Sequence, residues 1–402
     1  MVKPLAGIRV LDLSRVLAGP WATQTLADLG AEVIKLEQPG SGDDTRHWGP
    51  PWHDKGDEKV AAYYLSANRG KRSVAVDFST PEGAELVRKM AGDADVLVEN
   101  FRVGGLKKFG LDAETLRAAN PRLIYASITG FGQDGPYAAR AGYDYIIQAM
   151  GGLMSLTGLP DGEPGGGPMR VGVAVADLFT GMYTANAILA ALVRRQATGE
   201  GATIDMALFD TQLAMLANQA SNAIVSGKDP GRQGAGHPNI VPYQPFETAD
   251  QPIIIAVGND RQFAKLAKVL GRGQWADEPG YATNAARVAN RELLVPMIAE
   301  IIAARPASDW LVMLDEAGIP AGPINGVTQA LADPQAVHRG ARISAGGGRL
   351  GPVEMVGSPI RIDGERQDAP LPPPGLGEHD DALLEWIDAQ ELERLKAAGI
   401  VG

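Results

Sequence analysis

The sequence predicts an α/β fold: an open, mostly parallel sheet in a discontinuous large domain, with a smaller α/β domain inserted into it. Three observations carry this. A complete β-α-β unit lies within the first 37 residues, strand and helix patterns then alternate to about residue 206, and the texture changes near 226–250 before a second, smaller α/β pattern begins. A length of 402 residues suits two or three domains. The expected boundaries are 1–205 with 330–402 for the large domain, 206–228 for a linker helix and 229–329 for the small domain.

The first unit has a strand over 8–13, a turn at Ala18-Gly19-Pro20, a helix with apolar Trp21, Leu26 and Leu29, and a second strand over 33–36 that ends at Glu37. Pro20 suits a helix's first turn and Gly30 its C-terminal cap, so the start is Rossmann-like. Residues 38–60 read as a long loop, a length that usually signals function. Strands at 72–78, 95–98, 123–128 and 202–206 then alternate with helices at 81–91, 113–119 and 177–194, and a single long helix follows over 207–225. The small domain takes a strand at 253–257, helices at 261–270, 286–304 and 307–316, and an extended stretch at 320–324; short strands, a proline run and two terminal helices complete the chain.

Composition narrows the function. With 37 Lys+Arg against 48 Asp+Glu the chain is acidic, which argues against wrapping a nucleic-acid polymer. There is no cysteine, so thiol nucleophiles, disulfides and Cys-based zinc sites are excluded. No signal core is visible at the N-terminus, and the longest apolar stretches are broken well short of ~18 residues, so a soluble, cytoplasmic chain off the membrane is expected. Gly 50 and Pro 28 make up 78 of 402 residues, above the average of roughly 12%. The excess gathers in loops at 38–51, 129–142, 151–168 and 226–238, where backbone can approach a ligand closely.

Several familiar motifs fail. Gly130-Phe131-Gly132-Gln133-Asp134-Gly135 fits the dinucleotide spacing, but no amphipathic helix opens after it. The turn Leu17-Ala18-Gly19-Pro20 lacks the phosphate-binding glycines, although Glu37 stands where a ribose partner would. His47, His53, His237, His338 and His379 show no metal-ligand spacing, so no metal is expected.

One stretch carries chemistry. Arg170-Val171-Gly172-Val173-Ala174-Val175-Ala176-Asp177 sets a single carboxylate among small apolar residues at the start of a long apolar helix. Asp177 could be a helix N-cap. The functional alternative is a carboxylate nucleophile beside free N–H groups that stabilise an oxyanion.

Together with Leu17-Ala18-Gly19-Pro20, Gly30–Glu37, Gly42-Asp43-Asp44-Thr45-Arg46 and Val98-Glu99-Asn100-Phe101, this stretch resembles the class III CoA-transferases, the family of formyl-CoA transferase and carnitine CoA-transferase. The resemblance covers nearly the whole chain. It implies an interlocked homodimer, coenzyme A as a substrate with no tightly bound cofactor, and acyl-CoA and a small carboxylic acid as partners. Asp177 matches the family's nucleophile, Asp144 a second acidic position, and Tyr143 the position that is His in the related α-methylacyl-CoA racemases. An unperturbed tyrosine, with a pKa near ~10, is a poor base at neutral pH, which disfavours the racemase reading. Val16, Ala18, Val76, Asn100, Phe101 and Lys108 match CoA-contacting positions. Arg72 and Arg102, with Arg69, Lys71 and Lys107, add a local basic cluster for the nucleotide.

Leu17 and Gln38 depart from formyl-CoA transferase, and that enzyme's tetraglycine loop is missing. Trp48-Gly49-Pro50-Pro51, Ala141-Gly142-Tyr143-Asp144 and His237–Gln244 are instead similar to succinyl-CoA:glutarate-type transferases. A dicarboxylate acceptor needs a cation for its distal end, and Arg46 and Arg69 are the candidates, beside Trp48. For Arg46 the alternative is that it pins its own loop to Asp43 or Asp44. Transfer to formate, oxalate or carnitine, racemisation, and a non-enzymatic CoA-binding role remain the competing readings.

Overall fold

A computed structural model of the chain describes residues 3–402. Its main sheet is parallel throughout. Strands β1 (Arg9–Asp12) and β2 (Glu32–Glu37) flank helix α1 (Ala18–Asp28), and a short hairpin of β3 (Trp52–His53) and β4 (Val60–Ala61) leads into α2 (Ala62–Leu65). Then come β5 (Lys71–Ala75), α3 (Pro81–Gly92), β6 (Val96–Glu99), α4 (Ala113–Ala119) and β7 (Ile124–Thr129). Helices α5 (Asp144–Met150), α6 (Leu153–Leu156) and α7 (Val175–Thr198) precede β8 (Ala202–Ala207). The strands lie in the order β5-β2-β1-β6-β7-β8, so direction of winding reverses between β1 and β6. In such sheets ligands bind outside the carboxyl ends of the strands at that reversal.

Local chemistry explains the elements. Successive strand residues alternate between faces. Leu11, Ile34 and Leu97 enter the core beneath α3, α4 and the C-terminal residues. Val10, Val33, Val96 and Val98 enter the core shared with α1 and α7. Both faces are covered, which is why the strands read as apolar runs. Thr80 caps α3 by accepting the Gly83 N–H, and Asp112 caps α4 through Thr115. Gly30 follows the end of α1 with φ +104°, as a helix-terminating glycine does. Among the described residues, α7 alone is long and apolar enough to cross a membrane. It packs as a core helix, with Ile188, Ala191 and Leu192 buried.

Two compact units emerge. One comprises residues up to 153, 171–221 and 334 onward, and the other 154–170 and 222–333. The second has a three-stranded antiparallel sheet of β9 (Tyr243–Phe246), β10 (Ile253–Ala256) and β11 (Ala321–Pro323), packed by Phe263, Trp275 and Trp310. Its fully buried Arg287 donates to the Val241 and Tyr281 carbonyls and pairs with Asp260.

Three expectations about elements are corrected. The single helix over 207–225 is two, Leu208–Met215 and Ala217–Ser226, because Ala217 takes φ +46° and breaks the ladder. The helix over 286–304 is likewise two, Asn284–Ala289 and Arg291–Ile302. The loop over 38–60 is not structureless: it contains a 3-10 turn at Asp44–His47 and the β3–β4 hairpin.

Candidate active site

The site grows from the turn after β1. Asp12, at the end of that strand, accepts from the Ser14 N–H and from the Thr23 hydroxyl. Val16 follows with φ +72°, a left-handed conformation that costs a β-branched residue energy and needs outside support. Asp43 supplies it by accepting the Val16 N–H at 3.2 Å. The Lys35 ammonium bridges Asp43 at 2.9 Å and the Ser14 carbonyl at 2.8 Å. On the other side of the reversal Asn100 closes the turn, donating to the Arg15 carbonyl and accepting the Arg15 N–H. The strained turn therefore sits on buried charges at the mouth of the sheet.

Helix α7 comes directly against this turn. A Cβ on Gly181 would lie 2.6 Å from the Ala18 carbonyl oxygen, so only glycine permits the contact. Asp177 stands one turn earlier on α7. It is not the N-cap, because Ala174 holds that position without a side-chain acceptor. Nor are the helix-start N–H groups free for an oxyanion, as the sequence suggested. Val175 donates to the Val173 carbonyl, and Ala176 and Asp177 donate to an Asp144 oxygen at 2.8 and 3.4 Å. Asp144 caps α7 from a neighbouring helix.

Among the described residues none donates a hydrogen bond to the Asp177 carboxylate. Desolvation by the surrounding protein, and then the Asp144 charge, push its pKa up to about 7. Tyr63 shares this neighbourhood: burial and the charges of Asp177, Asp144 and Asp43 push its phenol to about 12, so it remains a proton donor. The Trp48 ring meets Tyr63 edge-on at 5.4 Å. Sequence reasoning missed Tyr63; its one signal was a position just beyond the long loop.

The structure brings some expected residues together and separates others. Asp177 and Asp144 meet, with Tyr143 at the start of α5 and largely exposed. Val16, Ala18, Asn100 and Phe101 gather at the sheet reversal, where the exposed Arg15 lies 5.3 Å over the Phe101 ring. Val76 lies just past β5, fully buried and paired with Val401, so its side chain is covered. Arg102, Lys107 and Lys108 are exposed beyond β6.

Four cations are not free. Arg72 lies beside Ile34 in register and pairs with Glu32, toward the amino ends of the strands and away from the crevice. Lys71 is buried and donates to Asp12, Pro20 and Asn68. Arg46 is buried, bonded twice to Glu37 and once each to Glu58 and Tyr64. Arg69 grips Asp28 and the Val356 carbonyl. The expectation that Arg46 or Arg69 meets a distal carboxylate does not fit, because Arg46 is engaged by Glu37, Glu58, Tyr64 and the Pro374 carbonyl, and Arg69 by Asp28 and the Val356 carbonyl. Arg46 does pin its loop, though to Glu37 rather than to Asp43 or Asp44. Among the described residues no His, Asp and Glu group gathers in metal-holding geometry.

The sheet thus reverses its winding over a strained turn, and α7 presses against that turn with a carboxylate that no described residue bonds. The chain is a member of CoA-transferase family III, which matches residues 5–380. It is 50% identical over 397 residues to a succinate–glutarate CoA-transferase of Agrobacterium fabrum, covering 96% of both chains. It is 42% identical to a human succinyl-CoA:glutarate CoA-transferase, over 100% of this chain and 90% of that one. It is also 40% identical to an acetyl-CoA:oxalate CoA-transferase of Acetobacter aceti, over 96% of this chain and 97% of that one. A crystal structure of a CaiB/BaiF family protein from Brucella suis superimposes with TM-score 0.84 at 50% identity, covering 98% of this chain and all of that one. The family resemblance carried by the Asp177 and Asn100 motifs is thereby confirmed.

Proposed function

We propose that this enzyme moves CoA from succinyl-CoA to a dicarboxylic acid such as glutarate, with Asp177 as the covalent carrier. The observation that carries the reading is Asp177 itself, a carboxylate that receives no hydrogen bond among the described residues and stands one helical turn from the contact between Gly181 and the Ala18 turn. A half-buried carboxylate that receives no hydrogen bond from the described residues is a stronger nucleophile than one tied in an ion pair. The named activities of the relatives from Agrobacterium fabrum and human support the two acids.

Each step exchanges one activated acyl bond for another. An Asp177 oxygen attacks the thioester carbonyl, and the C–S bond breaks to leave a mixed anhydride and CoA thiolate. The thiolate attacks the aspartyl carbonyl, succinate leaves, and an aspartyl-CoA thioester remains. The acceptor carboxylate attacks that carbonyl and expels the thiolate, giving a second anhydride. The thiolate then attacks the acceptor's carbonyl, forming the new acyl-CoA and restoring the Asp177 carboxylate. No net proton, electron or phosphate changes hands. In this reading Tyr63, held protonated, meets the developing oxyanion. Arg102, Lys107 and Lys108 are the cations left to receive the nucleotide's phosphates. Exposed Phe179, Met182 and Tyr183 on α7 support burial of that face in a homodimer, which light scattering would read as twice the chain mass. A cytoplasmic setting is consistent with this reaction.

An acceptor screen with succinyl-CoA tests the reading. Glutarate should exceed short monocarboxylates, and hydroxylamine should trap an acyl-enzyme in the wild type but not in Asp177→Ala. An Asp177→Ala enzyme that turns over normally would remove the proposal.

A further inference from the structure

Gln148 occupies a place in the site that neither motif nor resemblance singles out. It is fully buried on α5, one turn after Asp144. Residues four apart face each other on a helix. Its Nε2 donates to Asp144 Oδ2 at 2.7 Å, and its Oε1 accepts the Val171 N–H at 2.9 Å. The orientation of the amide is dictated by these partners, since a flip would set oxygen against carboxylate and N–H against N–H. The other Asp144 oxygen accepts the Ala176 and Asp177 N–H groups.

Resting on the reading of Asp177 as nucleophile, we propose that Gln148 is a positioning residue, which locks Asp144 and the 171–177 segment into one clamp that aims Asp177 at the thioester. The argument is one of anchorage. Helix α7 has no side-chain N-cap of its own, so its first turn depends on Asp144. Without the Gln148 donor Asp144 would be held through one carboxylate oxygen alone, the one that accepts from α7. The same Gln148 ties Val171, so the chain entering α7 is held at both ends. A reacting group displaced by about 1 Å can lose a hundredfold in rate. A negative cap at a helix start is also favourable to the helix dipole. The titratable groups that face Asp177 are Asp144 on α5 and Tyr63 on α2. Gln148 places an amide donor on the Asp144 oxygen that the α7 N–H groups leave open. Without that donor the Asp144 charge acts on Asp177 less screened, which pushes the Asp177 carboxyl further up.

The test uses the full-length enzyme with succinyl-CoA and glutarate. Gln148→Leu, which removes both bonds, should lower kcat between about ten- and a hundredfold. KM for succinyl-CoA should stay within about twofold, and the acid limb of kcat should move to higher pH. Gln148→Glu keeps the volume and adds a carboxyl beside Asp144, and it should move the limb further in the same direction. In an Asp144→Asn background the limb should no longer respond to Gln148→Leu, because no charge is left to solvate. A folded Gln148→Leu enzyme with the wild-type kcat and limb overturns the clamp. So does failure of both Gln148 variants to fold, which would assign the residue to the core alone. These outcomes are separable from the fate of the nucleophile: an inactive Asp177→Ala beside an unaffected Gln148→Leu removes only the clamp, whereas an active Asp177→Ala removes the reading beneath it.

Discussion

The turn after β1 and the start of α7 touch each other, and they treat charge in opposite ways. Beneath the turn every ionised group is matched. Asp12 faces Lys71, Asp43 faces Lys35, and Glu37 faces Arg46, all nearly inaccessible to water. Burial opposes ionisation of Asp12, but the Lys71 and Lys35 charges and two hydroxyls outweigh it and hold the carboxyl at about 2. On α7, Asp177 meets burial and a like charge with no cation to answer them, and its pKa goes the other way, to about 7. The same residue type is a matched foundation in one region and, on the reading proposed above, the reagent in the other. The foundation carboxylates are buried against cations, whereas Asp177 is half-buried beside another carboxylate.

The contrast breaks most sharply at the reagent. Asp177→Asn should cut CoA exchange by more than about a thousandfold. It should also stabilise the fold. A raised folded pKa means the native state binds more protons than the unfolded one between pH 4 and 7, so stability declines as pH rises through that window. Removing the charge recovers on the order of 2 kcal/mol at pH 8, read from urea denaturation. A variant that loses stability would show that the Asp177 charge is compensated after all.

The foundation should respond oppositely. Lys35→Met leaves Asp43 buried and unpaired, and should cost about 3–5 kcal/mol. The Val16 turn should loosen with it, which raised KM for acyl-CoA would report. Less severe is acid. Asp12 has a depressed folded pKa, so its contribution is complete above about pH 4 and disappears as pH falls toward 2, taking about 2 kcal/mol with it. A flat stability profile across that window would contradict the pairing with Lys71.

The smallest effect concerns α8 (Leu208–Met215). Its buried Gln212 amide makes no hydrogen bond among the described residues. An orphaned buried amide is costly, so Gln212→Met should raise stability by about 1 kcal/mol. A drop in melting temperature would instead reveal a partner for that amide in solution.

Much of this contrast was legible in the residues. The β-α-β opening, the alternation to residue 206 and the isolated Asp177 each followed from local pattern. What did not follow was the identity of partners. Arg46, Arg69, Lys71 and Arg72 look like ligand-binding cations in a sequence, because Glu37, Asp28, Asp12 and Glu32 lie 9, 41, 59 and 40 positions away. Their pairing depends on strand order, which no local window encodes. Tyr63 and Gln148 were missed for the same reason, since Tyr63 meets Asp177 and Gln148 meets Asp144 only through space. The break at Ala217 is different: it is a backbone excursion by a residue with high helix propensity, and tertiary context overrode the preference.

Gly181 turns the distance between the Asp177 helix and the Val16–Ala18 turn into a mechanical stop. Backbone rests on backbone there, so the gap is independent of any rotamer. Side chains added at that position would act as shims of graded thickness. A series from Gly181→Ala to Gly181→Ser to Gly181→Val would then calibrate how far the carboxylate can retreat before transfer fails, with rate falling stepwise as thickness grows. The enzyme's reach would thus be measurable with a ruler made of methyl groups.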